Sequence, residues 1–214
     1  YDSGYGRGWG RGGGWATDGQ LTIDSPENIA AVTFYKEMYD SGAFAVGDDA
    51  STFRTKFSEG RLAMMIDATG APPAMVSETV PSTSMMASPL PFPELATSQV
   101  GIYMGINAGT KNSALAEDFI RWFLSPETQQ KVSEIIGNTS TVATETTVPD
   151  GFFEANPWAE AYRANGAYTH SAVPAGFASV TPQIRNTVLS WIEKVLLEDL
   201  DPKEALTNAA NALK

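Results

Sequence analysis

The sequence has 214 residues, 43% hydrophobic and 18% charged, enough to bury a core in one large domain or two small ones. Fourteen Lys and Arg against 25 Asp and Glu leave a formal net charge of -11, a field that repels phosphate backbones and anionic lipid and so disfavours nucleic-acid partners. Cysteine is absent and His170 is the single histidine, which excludes disulfides, thiolate chemistry and multi-histidine metal centres, and implies no cofactor.

Residues 1–20 interleave Gly4, Gly6, Gly8, Gly10, Gly12, Gly13, Gly14 and Gly19 with Tyr, Trp and Arg, which predicts irregular backbone. The opening Tyr1-Asp2-Ser3-Gly4 carries no basic and apolar export segment, in keeping with a cleaved signal or a partial chain. Gly8 to Gly13 satisfies G-x-G-x-x-G, but the strand before and the helix after that a dinucleotide site needs are missing. Two arginines in an acidic chain are also too few for an Arg-Gly RNA-binding segment. Trp9 and Trp15, flanked by glycine, are expected to be exposed. Asp18-Gly19 then signals a turn before a short strand at Leu21–Ile23.

Four helix starts share one device. Ser25-Pro26, Ser125-Pro126, Thr181-Pro182 and Asp201-Pro202 place a capping oxygen before a proline that loses no hydrogen bond at the first helical position. The i, i+3, i+4, i+7 template fits Ala31, Phe34, Tyr35 and Met38, and again Ala116, Phe119, Ile120 and Phe123. It also fits Val188, Trp191, Ile192 and Val195, then Leu206, Ala209, Ala210 and Leu213. Phe53 and Phe57 before Gly60, and Val132, Ile135 and Ile136 before Gly137, mark two shorter helices. These faces predict burial of Trp122 and Trp191.

Leu62–Ile66 and Val100–Ile106 read as buried strands. Between them, Pro72, Pro73, Pro81, Pro89, Pro91 and Pro93 predict a connector, and Asn138–Asp150 reads as a second crossing. No run of about 18 apolar residues is present to span a bilayer.

Candidate chemistry is sparse. His170 lacks a nucleophile elbow and reads as a surface or hydrogen-bonded side chain. Twenty-five acids always allow some carboxylate pair in space, which keeps a carbohydrate-active hydrolase as an alternative. Asp67 ends the first apolar run and opens Asp67-Ala68-Thr69-Gly70. A carboxylate at an exposed strand end can face a ligand, or it can cap the turn that follows. Gly70 allows close backbone approach. Tyr103 lies in the second strand, where core is equally plausible.

Set in order, these pieces resemble the C-terminal half of an extracellular solute-binding protein, family 1, of the sugar or polyol type. The resemblance runs through Gly13-Gly14-Trp15, Asp18-Gly19-Gln20-Leu21-Thr22-Ile23-Asp24-Ser25-Pro26-Glu27, Phe57-Ser58-Glu59-Gly60-Arg61-Leu62-Ala63-Met64, Asp67-Ala68-Thr69, Gly105-Ile106-Asn107, Ala116-Glu117-Asp118-Phe119-Ile120, Leu124-Ser125-Pro126-Glu127-Thr128-Gln129 and Asp201-Pro202-Lys203-Glu204-Ala205-Leu206. It implies an α/β, periplasmic-binding-protein-like type II fold: a helix-rich C-terminal lobe plus a segment of the N-terminal lobe. Residues 1–97 and 143–214 would form the C-terminal lobe, and 98–142 would cross into the other, whose remainder is absent from the sequence.

The resemblance also implies a non-enzymatic, periplasmic or extracellular receptor that binds a carbohydrate or polyol and delivers it to the membrane permease of an ABC transporter. The expected ligand-binding residues are Trp15, Asp67, Gly70, Tyr103 and Phe177: Asp67 and Gly70 from the strand-end turn, Tyr103 from the second strand, and, by the resemblance, Trp15 from its place after the paired glycines and Phe177 from its place before the helix at Pro182. With the N-terminal lobe of the same protein absent, Phe119, Ile120 and Phe123 are expected to be exposed or covered by a second copy.

Overall fold

The computed structural model describes residues 11–42, 48–68, 70–89, 93–99, 104–136 and 147–214. The chain forms two compact units: Tyr1–Ala50, Leu90–Val100 and Asn165–Lys214 make the first, and Ser51–Pro89 with Gly101–Ala164 makes the second.

The first unit opens with a hairpin of β1 (Ala16–Thr17) and β2 (Gln20–Leu21), paired antiparallel around Asp18 and Gly19. Their φ angles of 53° and 73° are the two positive values that a turn matching strand twist demands. Helix α1 (Pro26–Asp40) follows, with the Ser25 hydroxyl accepting from the Asn28 N–H at 3.3 Å and Pro26 in its first turn. The unit's core lies between α1 and two helices from the far end of the chain, α8 (Thr181–Leu197) and α9 (Pro202–Ala212). Ile23, Val32, Ile184, Val188, Ile192, Val195, Leu206 and Ala209 fill it. Asp201 caps α9 by accepting from the Glu204 N–H at 2.9 Å. Thr181 departs from the capping expectation. A 3-10 turn at Ala178–Val180 runs straight into α8, so Thr181 is already helical and its hydroxyl donates to the Phe177 carbonyl at 2.9 Å. The same unit holds a parallel pair, β3 (Thr97–Gln99) with β4 (Thr169–Ser171), in which the exposed His170 stands opposite Ser98.

The second unit contains α2 (Ala50–Ser58), α3 (Pro72–Met75), α4 (Ser113–Phe123), α5 (Pro126–Ile136), α6 (Phe152–Ala155) and α7 (Trp158–Asn165). Helix α2 ends in the glycine cap that the sequence predicts: Gly60 has φ 73°, its N–H donates to Phe57, and the Arg61 N–H reaches back to Lys56 at 2.8 Å. A small core gathers Met85, Trp158 and Ala159 with Phe57, Val80, Phe152 and Tyr162. The Trp158 indole donates to the Ser82 hydroxyl at 2.9 Å, and Ser82 donates to Asn156 Oδ1 at 2.6 Å.

Three expectations are corrected. Leu62–Ile66 is irregular rather than a buried strand, and Met64 is 87% exposed. Its apolar run has no strand beside it among the described residues, and an unpaired ladder is not formed. Of the second expected strand, 100–103 lies outside the described residues, while Met104 and Ile106 are irregular and exposed. Trp122 is 58% exposed rather than buried, because Leu115, Phe119 and Trp122 form a stripe on the face of α4 turned away from protein. Phe119 is exposed as expected, and Ile120 and Phe123 are half-buried.

Candidate functional site: an aromatic patch and a braced turn

The first patch grows from the paired glycines. Asn28, buried in the first turn of α1, donates its amide hydrogens to the Gly14 carbonyl at 2.7 Å and the Thr22 carbonyl at 2.8 Å. The Thr22 hydroxyl also reaches Gly14 O at 2.8 Å, and the Thr22 N–H reaches Trp15 O at 2.9 Å. These bonds turn Trp15 inward, where it is 6% exposed and part of the helical core. The expected exposure of Trp15 is therefore corrected: a ring beside glycines has no local side chains to bury it, but the core supplies them. Phe177 packs half-buried against the same cluster. It follows Gly176, whose φ of 86° brings the loop beside the hairpin turn, with a Cβ position 3.7 Å from Gly19 Cα. Two of the expected site residues thus share one cluster.

The second patch, in the second unit, centres on Asp67. Its side chain is 1% exposed and gripped by Arg54 of α2, Nε to Oδ2 at 2.6 Å and Nη2 to Oδ1 at 2.7 Å. Oδ1 also accepts the Ala68 N–H at 2.7 Å. The expectation of a carboxylate at an exposed strand end is corrected on both counts, since there is no strand and the carboxylate is enclosed. The Tyr162 hydroxyl of α7 donates to the Asp67 carbonyl at 3.3 Å. Burial, and secondarily the Asp67 charge, push the Tyr162 hydroxyl above its ordinary range and keep it a donor. Gly70 is exposed, with nothing within 4 Å of where a Cβ would stand. Tyr103 lies outside the described residues.

Asn28, Arg54 and Tyr162 were not legible as site residues. Asn28 reads as ordinary first-turn sequence, and no spacing rule links Arg54 to Asp67 or Tyr162 across 13 and 95 positions. Chemically the two patches offer aromatic surface, fixed backbone turns and a guanidinium–carboxylate pair. Among the described residues no group of three or more His, Cys, Asp or Glu could hold a metal ion.

This arrangement of helices and short strands is periplasmic-binding-protein-like. The fold matches the maltose-bound MalE3 of T. maritima with a TM-score of 0.80 and 20% identity, over 97% of this chain and 55% of that one. It matches a solute-binding protein from Thermotoga lettingae bound to alpha-D-tagatose with a TM-score of 0.74 and 19% identity, over 99% and 56%. UgpB from Mycobacterium tuberculosis, in complex with glycerophosphocholine, matches with a TM-score of 0.68 and 20% identity, over 98% and 53%. The chain thus spans about half the length of the solved structures that it resembles. Among curated proteins none matches the sequence significantly. Residues 1–161 match the family model described as bacterial extracellular solute-binding protein, and the chain belongs to that family. Membership places it in the periplasmic or extracellular compartment. No helix of the described residues is long and apolar enough to cross a membrane.

Proposed function

We propose that this chain is part of a substrate-binding receptor for a carbohydrate or polyol, which hands its solute unchanged to the permease of an ABC transporter. The carrying observation is the family match over residues 1–161. The solutes held by similar folds, maltose and alpha-D-tagatose among them, support the polyhydroxylated class. In this reading residues 1–97 and 143–214 belong to the C-terminal lobe, 98–142 to the N-terminal lobe, and the rest of that lobe completes the receptor.

Trp15, Asp67, Gly70, Tyr103 and Phe177 are the proposed ligand residues. The half-buried Phe177 would offer aromatic surface to sugar C–H groups, with Trp15 packed behind it, and turns would offer polar groups to hydroxyls. The test is calorimetry of the receptor with maltose, D-tagatose and glycerophosphocholine, with solute recovered and analysed afterwards. Binding without turnover is expected, and Asp67→Asn should weaken it by about 1–3 kcal/mol. Turnover abolished by replacing a carboxylate would overturn the receptor reading.

A further inference from the structure

Asp67, Ala68, Gly70 and Ala71 lie outside any helix or strand, yet they are held from several directions. Arg54 takes both carboxylate oxygens of Asp67, and Tyr162 donates to the carbonyl of the same residue. The Ala68 N–H returns to Asp67 Oδ1, and the Ala71 N–H closes a turn on Ala68 O at 3.0 Å. Beneath it Ala71, Pro72 and Met75 are buried, while Gly70 stands exposed at the tip with open space around it.

Burying an ion pair is an inefficient route to stability. Desolvation offsets most of the attraction, and apolar replacements of similar volume are often as good or better. A bidentate guanidinium–carboxylate pair supplies direction instead: two parallel bonds fix the carboxylate plane, which a lysine's single point charge does not. Here that direction passes into the turn, because Asp67 is its first residue and bonds the amide of its second.

We propose that Arg54 is a positioning residue for solute recognition, fixing Asp67 and Ala68 so that the turn closed by the Ala71 N–H presents the exposed Gly70 to solute hydroxyls, with Tyr162 as a second anchor. The proposal rests on the receptor reading and deepens it by assigning how one proposed ligand element is kept in shape. Arg54 and Tyr162 act through Asp67 and do not themselves touch solute. A pre-formed edge spares the binding step the cost of ordering a loop.

The test has two arms, applied to the full-length receptor as wild type, Arg54→Lys, Arg54→Met and Tyr162→Phe. In amide exchange, peptides covering 66–75 should exchange about tenfold faster or more in both Arg54 variants, with α8 and α9 unchanged. Tyr162→Phe should show a smaller effect in the same peptides. If Arg54→Met also loosens α8 and α9, it has disturbed the fold, and Arg54→Lys carries the comparison. Unchanged exchange at 66–75 in Arg54→Lys overturns the proposal.

In the second arm, calorimetry with maltose and D-tagatose should show affinity lower by about tenfold or more in Arg54→Lys, at an unchanged melting temperature. Wild-type affinity in a variant with a loosened turn overturns the recognition role while leaving the receptor reading intact. A full-length wild type that binds neither sugar overturns both the sugar reading and the recognition role. Exchange then decides separately whether Arg54 holds the turn.

Discussion

The side chain of Asn28 is bonded to the carbonyl of Gly14 at 2.7 Å, and this one contact ties the glycine-rich opening to the first turn of α1. Asn28 does so from a buried position while its second amide hydrogen holds Thr22. Replacing it with Ala should cost about 1–3 kcal/mol, since both carbonyls keep one other donor. Urea unfolding followed by circular dichroism measures this, and an unchanged midpoint would show that the tie carries no stability.

Trp15 and Trp122 reverse the order of exposure that their neighbours in sequence suggest. In variants with each as the only remaining tryptophan, acrylamide should quench Trp122 several times more efficiently than Trp15. Equal quenching would contradict the burial described for both.

Ser82 serves two partners at once, accepting from the buried Trp158 indole and donating to the half-buried Asn156. Ser82→Ala leaves the indole N–H without its acceptor in a site that is 2% exposed, and should cost about 1–3 kcal/mol. Ser82→Thr, which keeps the hydroxyl, should recover part of the lost melting temperature.

Tyr162 gives the second unit an alkaline sensitivity. The fold raises its ionisation range, so the unfolded chain releases the proton first, at about pH 10. The native state then holds more protons than the unfolded state, and stability falls as pH rises from there through the raised native value. Tyr162→Phe removes this contribution. The stability of the wild type relative to Tyr162→Phe should therefore decline between about pH 9 and about pH 11, and a constant difference in urea midpoint would argue against the buried hydroxyl.

Gly176 precedes Phe177 with a φ of 86°. A Cβ there would meet Gly19 Cα only at ordinary contact distance, so the cost of Gly176→Ala is conformational rather than steric. Destabilisation of about 1–2 kcal/mol is expected in thermal unfolding.

Local chemistry was legible in the sequence wherever local forces decide. The caps before proline at Ser25 and Asp201, the glycine stop at Gly60 and the turn at Asp18-Gly19 all stand where the residues put them, because each involves groups only a few positions apart. The ordered motifs likewise carried the family. The apolar runs were less informative: Leu62–Ile66 has strand composition, but a strand also needs a neighbour, and composition does not supply one. The burial of Trp15 escapes its glycine neighbours for a related reason: it comes from α1, α8 and α9, up to nearly two hundred residues away. Asp67 shows the division most clearly. Its sequence placed a carboxylate beside a glycine turn, whereas only the tertiary structure put Arg54 and Tyr162 around it, since long-range pairing is set by packing that no local spacing encodes.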